Sequence, residues 1–189
     1  MWRWVVIKYE ILIAGRGGQG VLLLGRILGV AASKYENLYV TCSETYVAET
    51  RGGDSRVDVI IATNPDDIDY IKVRRADVAL FLHQDQLVKF SNMVGSNAKV
   101  FVDESFVREV PRNYGWTVFK APYTEFAERT FKTARVSNMI ILGHFIGMLR
   151  LVSESSIERA IDELVSSEWR ETNKAAFRLG LKLSNEYVK

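Results

Sequence analysis

A single cysteine, Cys42, stands in a chain of 189 residues, so no disulfide closes within it. One thiolate is also too few for an iron–sulfur cluster, which takes several cysteine ligands; any such centre working with this chain belongs to another one. Histidine is nearly as scarce. His83 and His144 lie far apart with no Cys, Asp or Glu at metal-ligand spacing, so both read as structural. Asp66-Asp67-Ile68-Asp69 lacks the spacing and closing Glu of a calcium loop and reads as a turn and cap, and Cys42, in a β-like run, reads as a small buried apolar side chain. No metal site is expected. The three prolines, at 65, 111 and 122, border no low-complexity linker, and no fixed-period repeat is present, so residues 1–189 read as one domain. An excess of charge is missing too: 25 Lys and Arg against 23 Asp and Glu leave +2, which argues for neither nucleic acid nor an anionic membrane as partner. The tryptophans at 2, 4, 116 and 169 are scattered and make no base-stacking platform. No apolar run reaches the roughly 20 residues of a spanning helix, since Met139 to Leu149 is broken by Gly143, His144 and Gly147. Met1 to Ile7 is apolar but lacks the cleavage site of a signal peptide, and a reducing cytoplasm is the expected compartment.

What is present is a hydrophobic fraction of 48%, enough for a full core. Lys8 to Ala14 is a strand-like run, followed by a glycine-rich turn and by Val21 to Ser33 with helical apolar spacing. Further strand-like runs are Leu38 to Cys42, Arg56 to Ala62, Val78 to Leu82, Lys99 to Val102 and Thr117 to Phe119, with a helix expected over Gln84 to Val94. From Tyr123 onward the spacing turns helical, over Thr124 to Phe131, Asn138 to Leu151, Ser155 to Val165 and Thr172 to Tyr187. Ser153 and its neighbours supply N-cap chemistry for the third of these. The alternation predicts an α/β fold of three layers, α/β/α, with a largely parallel, Rossmann-like sheet and a helical C-terminal third.

Gly15-Arg16-Gly17-Gly18-Gln19-Gly20 satisfies GxGxxG and sits between a strand and a helix, where the motif has a mechanism. Glycine permits positive φ, clears side chains from a ligand's path and leaves helix N-terminal amides facing an anion such as a pyrophosphate. Two readings remain open at this point: contact with a phosphate-bearing ligand, and a tight strand–helix crossing that needs glycines for packing alone. For a dinucleotide the turn also wants an acid about 20 residues on, to meet a ribose hydroxyl, and Glu44 fits that slot. A second glycine loop follows at Thr45 to Ser55, where Arg51 precedes Gly52 and Gly53. The planar fork of Arg suits carboxylate or phosphate, and the glycines let backbone amides join it; a solvated arginine in a glycine turn is the plainer alternative.

The segments taken together carry more than either loop. GRGGQGVLLLGRILGVAA at Gly15 to Ala32 resembles the opening of the gamma subunit of 2-oxoacid:ferredoxin oxidoreductases, and TYVAETRGGDSRVDVIIA at Thr45 to Ala62 is similar to that family's second loop and strand, with Glu49, Arg51, Gly52, Gly53 and Ser55 in place. Val47 and Ala48 stand where the family usually has Gly-Pro. Ala121-Pro122, Val136-Ser137-Asn138-Met139 with Leu142-Gly143, and Asn173 through Ala176 to Gly180 follow in the family's order. The resemblance spans nearly the whole chain.

That resemblance implies a non-autonomous subunit of an enzyme that oxidatively decarboxylates a 2-oxoacid, captures the acyl group on coenzyme A and passes electrons to ferredoxin. The Arg-Gly-Gly-x-Ser form favours the 2-oxoglutarate type. Thiamine diphosphate, magnesium and iron–sulfur clusters are implied for alpha, beta and ferredoxin-like delta partners, and coenzyme A, as co-substrate, for a site this chain helps to build. Gly15, Gly17, Gly18, Gln19 and Gly20 are the implied cradle, Arg51, Gly52 and Gly53 a second wall, and Asn138 a further candidate whose alternative role is to N-cap its own helix. No catalytic residue is assigned. The competing functions are an independent Rossmann-type protein binding NAD or FAD with Glu44 on the ribose, and a purely structural assembly subunit.

Overall fold

A computed structural model describes residues 8–47, 53–112 and 114–186. Six strands form one sheet: β1 (Lys8–Arg16), β2 (Tyr39–Tyr46), β3 (Asp54–Ala62), β4 (Ala76–Phe81), β5 (Val94–Asp103) and β6 (Thr117–Ala121), in the order β2-β3-β1-β4-β5-β6. β1, β4, β5 and β6 are mutually parallel. β3 alone runs against its neighbours, pairing antiparallel with both β1 and β2, so the sheet is largely parallel as expected but β2 is not β1's neighbour. The runs of Val, Ile, Leu and Phe in the central strands suit a sheet buried on both faces.

The helices are α1 (Val21–Val30), continued by a π-helical turn at Ala31–Tyr35, then α2 (Gln84–Phe90), α3 (Tyr123–Phe131), α4 (Ser137–Leu149), α5 (Glu154–Leu164) and α6 (Arg170–Glu186). One face of the sheet, with Ile11, Ile13, Val59, Leu80 and Phe101, packs on buried residues of α1, α3, α4, α5 and α6. The other, with Leu12, Ala14, Ile60, Phe81 and Val102, meets Leu87 of α2 and the connecting residues Val73 and Val107. The three layers are therefore unequal. Helix α4 is buried continuously from Ser137 to Ile146, as a helix apolar all round must be. It lies so close to α6 that a Cβ on Gly143 would stand 2.0 Å from the carbonyl oxygen of Phe177.

Several expected boundaries move. The helix expected to reach Val94 ends at Phe90; a 3-10 turn covers Ser91–Met93 and buried Val94 opens β5, paired with Ala76. Cys42 is exposed rather than buried, because β2 is the outermost strand and the α1 residue nearest the Cys42 Cβ is Gly29, which has no side chain to cover it. The cap chemistry holds: Ser153 accepts from Ser156 N–H at the start of α5, and Asn64 from Asp66 N–H before the turn at Pro65–Asp67.

Candidate functional site

The chain leaves β1 through α1 onto one face of the sheet, and leaves the adjacent parallel strand β4 through α2 onto the other. The crevice between the C-terminal ends of β1 and β4 is thus a topological switch point, the place where open α/β sheets receive ligands. The glycine turn lies in that crevice. Gly15 and Arg16 are still strand residues, paired with Ser55 and Asp54, and Gly20 precedes α1 with φ of 71°.

Each residue of the turn has a distinct task. A Cβ on Gly15 would stand 2.8 Å from Val21 Cγ2 and 2.9 Å from Gln19 Oε1, so this glycine serves close packing. The Gly17 N–H donates to Gly53 C=O at 2.8 Å, and the Gln19 N–H to Arg16 C=O at 3.1 Å. The Gln19 side chain is spent on the scaffold: Oε1 accepts from Arg16 N–H at 2.7 Å and Nε2 donates to Leu82 C=O at 2.9 Å. Gly18 has φ of 92° and open space where a side chain would be. Its N–H and those of Gly20, Val21, Leu22 and Leu23 have no acceptor among the described residues. These donors, at the positive end of the α1 dipole and without a side-chain cap, make the cradle an anion would enter.

Asn138 joins the site from α4. Its helix is preceded by Val136 with no side-chain cap, so Asn138 is not the N-cap; instead Nδ2 donates to Gly20 C=O at 3.1 Å. The residue is 1% exposed and its Oδ1 has no partner. Turning the amide over would set oxygen against the Gly20 carbonyl, so its orientation is fixed and a buried acceptor is left over beside the turn.

The second loop meets the first at its foot. Arg51 and Gly52, like Glu49, lie outside the described residues; Gly53 is buried and holds Gly17 through the bond just given. Tyr46, on the other strand of the hairpin, also borders the turn, since a Cβ on Gly17 would be 3.2 Å from its hydroxyl. Charged groups ring the crevice mouth. Arg16 pairs with Asp85, and Asp54 with Gln86 and Lys89; the Lys89 ammonium holds the Asp54 carboxyl below its usual value. His83, which caps α2 and stacks on Phe106, titrates below its ordinary value through burial and then the Arg16 charge. Sequence reasoning does not reach Asp54, Gln86 or Lys89, because a buried glutamine on a short helix carries no motif.

Glu44 does not serve a ribose. It forms a two-point pair with Arg26 of α1, at 2.6 and 2.7 Å, which lowers its carboxyl pKa. The insertion of β3 also sets it two strands from β1, roughly 10 Å at sheet spacing. His144 is a core residue, fully buried, with Nδ1 2.7 Å from the Tyr123 hydroxyl. Among the described residues no group of three or more His, Cys, Asp or Glu is placed to hold a metal ion, and no helix is long and apolar enough to cross a membrane.

The same fold occurs in known proteins. The sequence profile of the family described as pyruvate ferredoxin/flavodoxin oxidoreductase matches residues 10–183. The chain is 34% identical to a protein named 2-oxoglutarate synthase subunit KorC from Methanocaldococcus jannaschii, over 97% of this chain and 98% of that one. It is 35% identical to a protein of the same name from Archaeoglobus fulgidus, over 96% and 91%. Among solved structures, the gamma subunit of a keto/oxoacid ferredoxin oxidoreductase from Geobacter sulfurreducens superposes with a TM-score of 0.82 at 28% identity, covering 94% of this chain and 99% of that one. A 2-oxoglutarate:ferredoxin oxidoreductase from Magnetococcus marinus, with 2-oxoglutarate, coenzyme A and succinyl-CoA bound, shares the fold at a TM-score of 0.83 and 20% identity, over 95% of this chain and 31% of that one.

Proposed function

Because this chain belongs to the pyruvate ferredoxin/flavodoxin oxidoreductase family and is an oxidoreductase subunit of the gamma type, we propose that its glycine turn and Arg51 loop bind coenzyme A in an enzyme acting on 2-oxoglutarate. The observation that carries this reading is the Gly17 to Gly53 hydrogen bond. It brings two glycine segments, remote in sequence, to one crevice lined by free N–H donors.

Coenzyme A carries a pyrophosphate and a 3′-phosphate. The N–H groups of Gly18, Gly20 and the first turn of α1 suit one phosphate, and the guanidinium of Arg51 with the Gly52 and Gly53 backbone suits the adjacent charge. Gly15, Gly17 and Gln19 shape the cradle rather than donate to the ligand. Asn138 holds the Gly20 carbonyl, and with it the start of α1, in register. The work of this chain is to hold the carrier's anionic end so that its thiol arm reaches a partner's reaction centre.

Thiamine diphosphate with magnesium on alpha and beta subunits would supply the decarboxylation, and iron–sulfur clusters on beta or a ferredoxin-like delta subunit the path to ferredoxin. One cysteine in the whole chain fits that division, since a cluster takes several thiolates. The chain acts as one domain, with no turnover of its own. The name shared by the relatives at 34% and 35% identity supports 2-oxoglutarate as the oxoacid.

The test is co-purification of the tagged chain from its own cells at native expression, with an assay for reduction of a viologen dye. Recovery of thiamine- and cluster-bearing partners with activity dependent on both 2-oxoglutarate and coenzyme A is the expected result. A lone chain that binds NAD or FAD would overturn the reading.

A further inference from the structure

Beyond the glycine turn the crevice continues onto the ends of β4 and β5. Leu82 N–H donates to Ala14 C=O at 2.9 Å, and Leu82 C=O accepts from Gln19 Nε2, so the next residue, His83, stands directly beside the turn. His83 Nδ1 accepts from Asp85 N–H at 3.3 Å, which fixes the imidazole. The Phe106 ring stacks on it with centroids 5.9 Å apart and 24° between the planes. Phe106 nevertheless remains 41% exposed. One exposed phenylalanine is ordinary on a protein surface. Stacked on a fixed histidine at the rim of a ligand crevice, it offers a flat apolar surface on which a planar ring can lie.

The chain on both sides of Phe106 is tied down. Phe106 N–H and Val107 N–H both donate to Asp103 C=O, at 3.0 and 2.8 Å. The buried Asp103 carboxylate accepts from Ser105 N–H at 3.0 Å and from the Thr124 hydroxyl at 2.6 Å. Gln84 Oε1 accepts from Arg108 and Glu109 N–H at 2.9 and 3.0 Å, which links the segment to the helix that His83 caps. A ring held in this way meets a ligand without first losing backbone freedom.

Arg16 brings charge to the same rim. Its side chain leaves the glycine turn to pair with Asp85, two residues from His83, and its charge is felt at the His83 ring. Both members of that pair are about half exposed, and an exposed carboxylate holds its partner weakly. A phosphate group, with more charge and more acceptor oxygens, suits the guanidinium fork better and displaces it.

We infer that Phe106, backed by His83, is the stacking wall for the adenine of coenzyme A, and that Arg16 reads the 3′-phosphate on the adjoining ribose. The inference rests on the proposed coenzyme A site and adds its nucleoside end. With the pyrophosphate at the free N–H donors of the turn, the ribose spans from there to the α2 side of the crevice, where the aromatic wall and the guanidinium stand together.

The test uses the assembled enzyme carrying Phe106→Ala, Phe106→Trp or Arg16→Gln in this subunit, with three acyl acceptors: coenzyme A, dephospho-coenzyme A, which lacks the 3′-phosphate, and pantetheine, which lacks the nucleotide altogether. Phe106→Ala is expected to raise the KM for coenzyme A and for dephospho-coenzyme A alike, roughly tenfold, in the range that loss of a base–aromatic stack produces, and to leave that for pantetheine unchanged. Phe106→Trp keeps an aromatic face and is expected to hold the native values. Arg16→Gln is expected to raise the KM for coenzyme A roughly tenfold, as loss of one charge-assisted contact does, and to leave the other two acceptors unaffected. A Phe106→Ala effect that extends to pantetheine, or an Arg16→Gln effect shared by dephospho-coenzyme A, overturns the inference. So does loss of the partner subunits from Phe106→Ala on purification, which would make Phe106 a subunit contact. If the native enzyme prefers coenzyme A to pantetheine while these variants change no KM, the inference falls and the proposed site stands. If the native enzyme uses both acceptors with the same KM, the site itself falls, and its nucleoside end with it.

Discussion

Gln19 bridges the ends of two strands: its Oε1 accepts from Arg16 N–H at 2.7 Å while its Nε2 donates to Leu82 C=O at 2.9 Å. The side chain spans the switch point between β1 and β4 from within, and so fixes the floor on which the cradle rests. Gln19→Ala deletes both bonds and leaves two part-buried backbone groups unpaired, a loss of about 2 kcal/mol. Urea unfolding of the variant should show that drop in midpoint with the slope unchanged. Gln19→Glu should be worse, because it sets a carboxylate against the Leu82 carbonyl.

Gly20 and Asn138 should show strong coupling. A Cβ at Gly20 would lie 2.2 Å from Asn138 Nδ2, and the position has positive φ. Gly20→Ala is expected to cost about 3 kcal/mol, combining left-handed strain with overpacking. In an Asn138→Ala background the clash is gone and about 1 kcal/mol should remain. A double-mutant cycle of denaturation free energies checks this; additive costs would contradict the packing described.

His144 makes stability depend on pH. Burial lowers its imidazole to about 4, below the ordinary value near 6.5. Since the unfolded chain takes up a proton that the folded one resists, this contribution is fully present above pH 6.5 and is lost as pH falls toward 4, amounting to about 3 kcal/mol. Thermal melts from pH 7 to pH 4 should show the slope, and His144→Gln should flatten it.

The Glu44–Arg26 pair should matter little to binding. Its members are 27% and 57% exposed, and exposed pairs contribute below about 1 kcal/mol. Glu44→Ala is expected to leave the coenzyme A KM of the assembled enzyme unchanged. Calorimetric titration of the isolated chain with NAD should give no saturable heat.

Much of this was readable from residue order. Six strands and six helices follow from apolar periodicity, and their ends are misplaced mainly where side chains do not decide the backbone: Gly95, Ser96 and Asn97 sit inside β5 at the irregularity where its pairing with β4 jumps from Ala76–Val94 to Val78–Lys99. The insertion of antiparallel β3 between β1 and β2 is a tertiary choice, invisible to local pattern, and it removes Glu44 from the ribose position. The glycine turn was legible because a strand, a helix and φ-permissive residues must coincide there. Its division of labour was not. That Gln19 is consumed by Leu82, that Gly53 meets Gly17, and that Gln86 grips Asp54 all depend on strands and helices far apart in sequence. Asn138 was legible as a candidate, but its partner, Gly20, lies 118 residues away.

The most direct measurement compares coenzyme A with pantetheine, which keeps the thiol arm and lacks the phosphates, as acyl acceptors of the assembled enzyme carrying either native Arg51 or Arg51→Ala. The account predicts that the substitution raises the KM for coenzyme A at least tenfold or so, the worth of one charge-assisted contact, and leaves that for pantetheine unchanged. Equal losses for both acceptors, or none for either, would contradict the assignment of this chain to the phosphate end of coenzyme A.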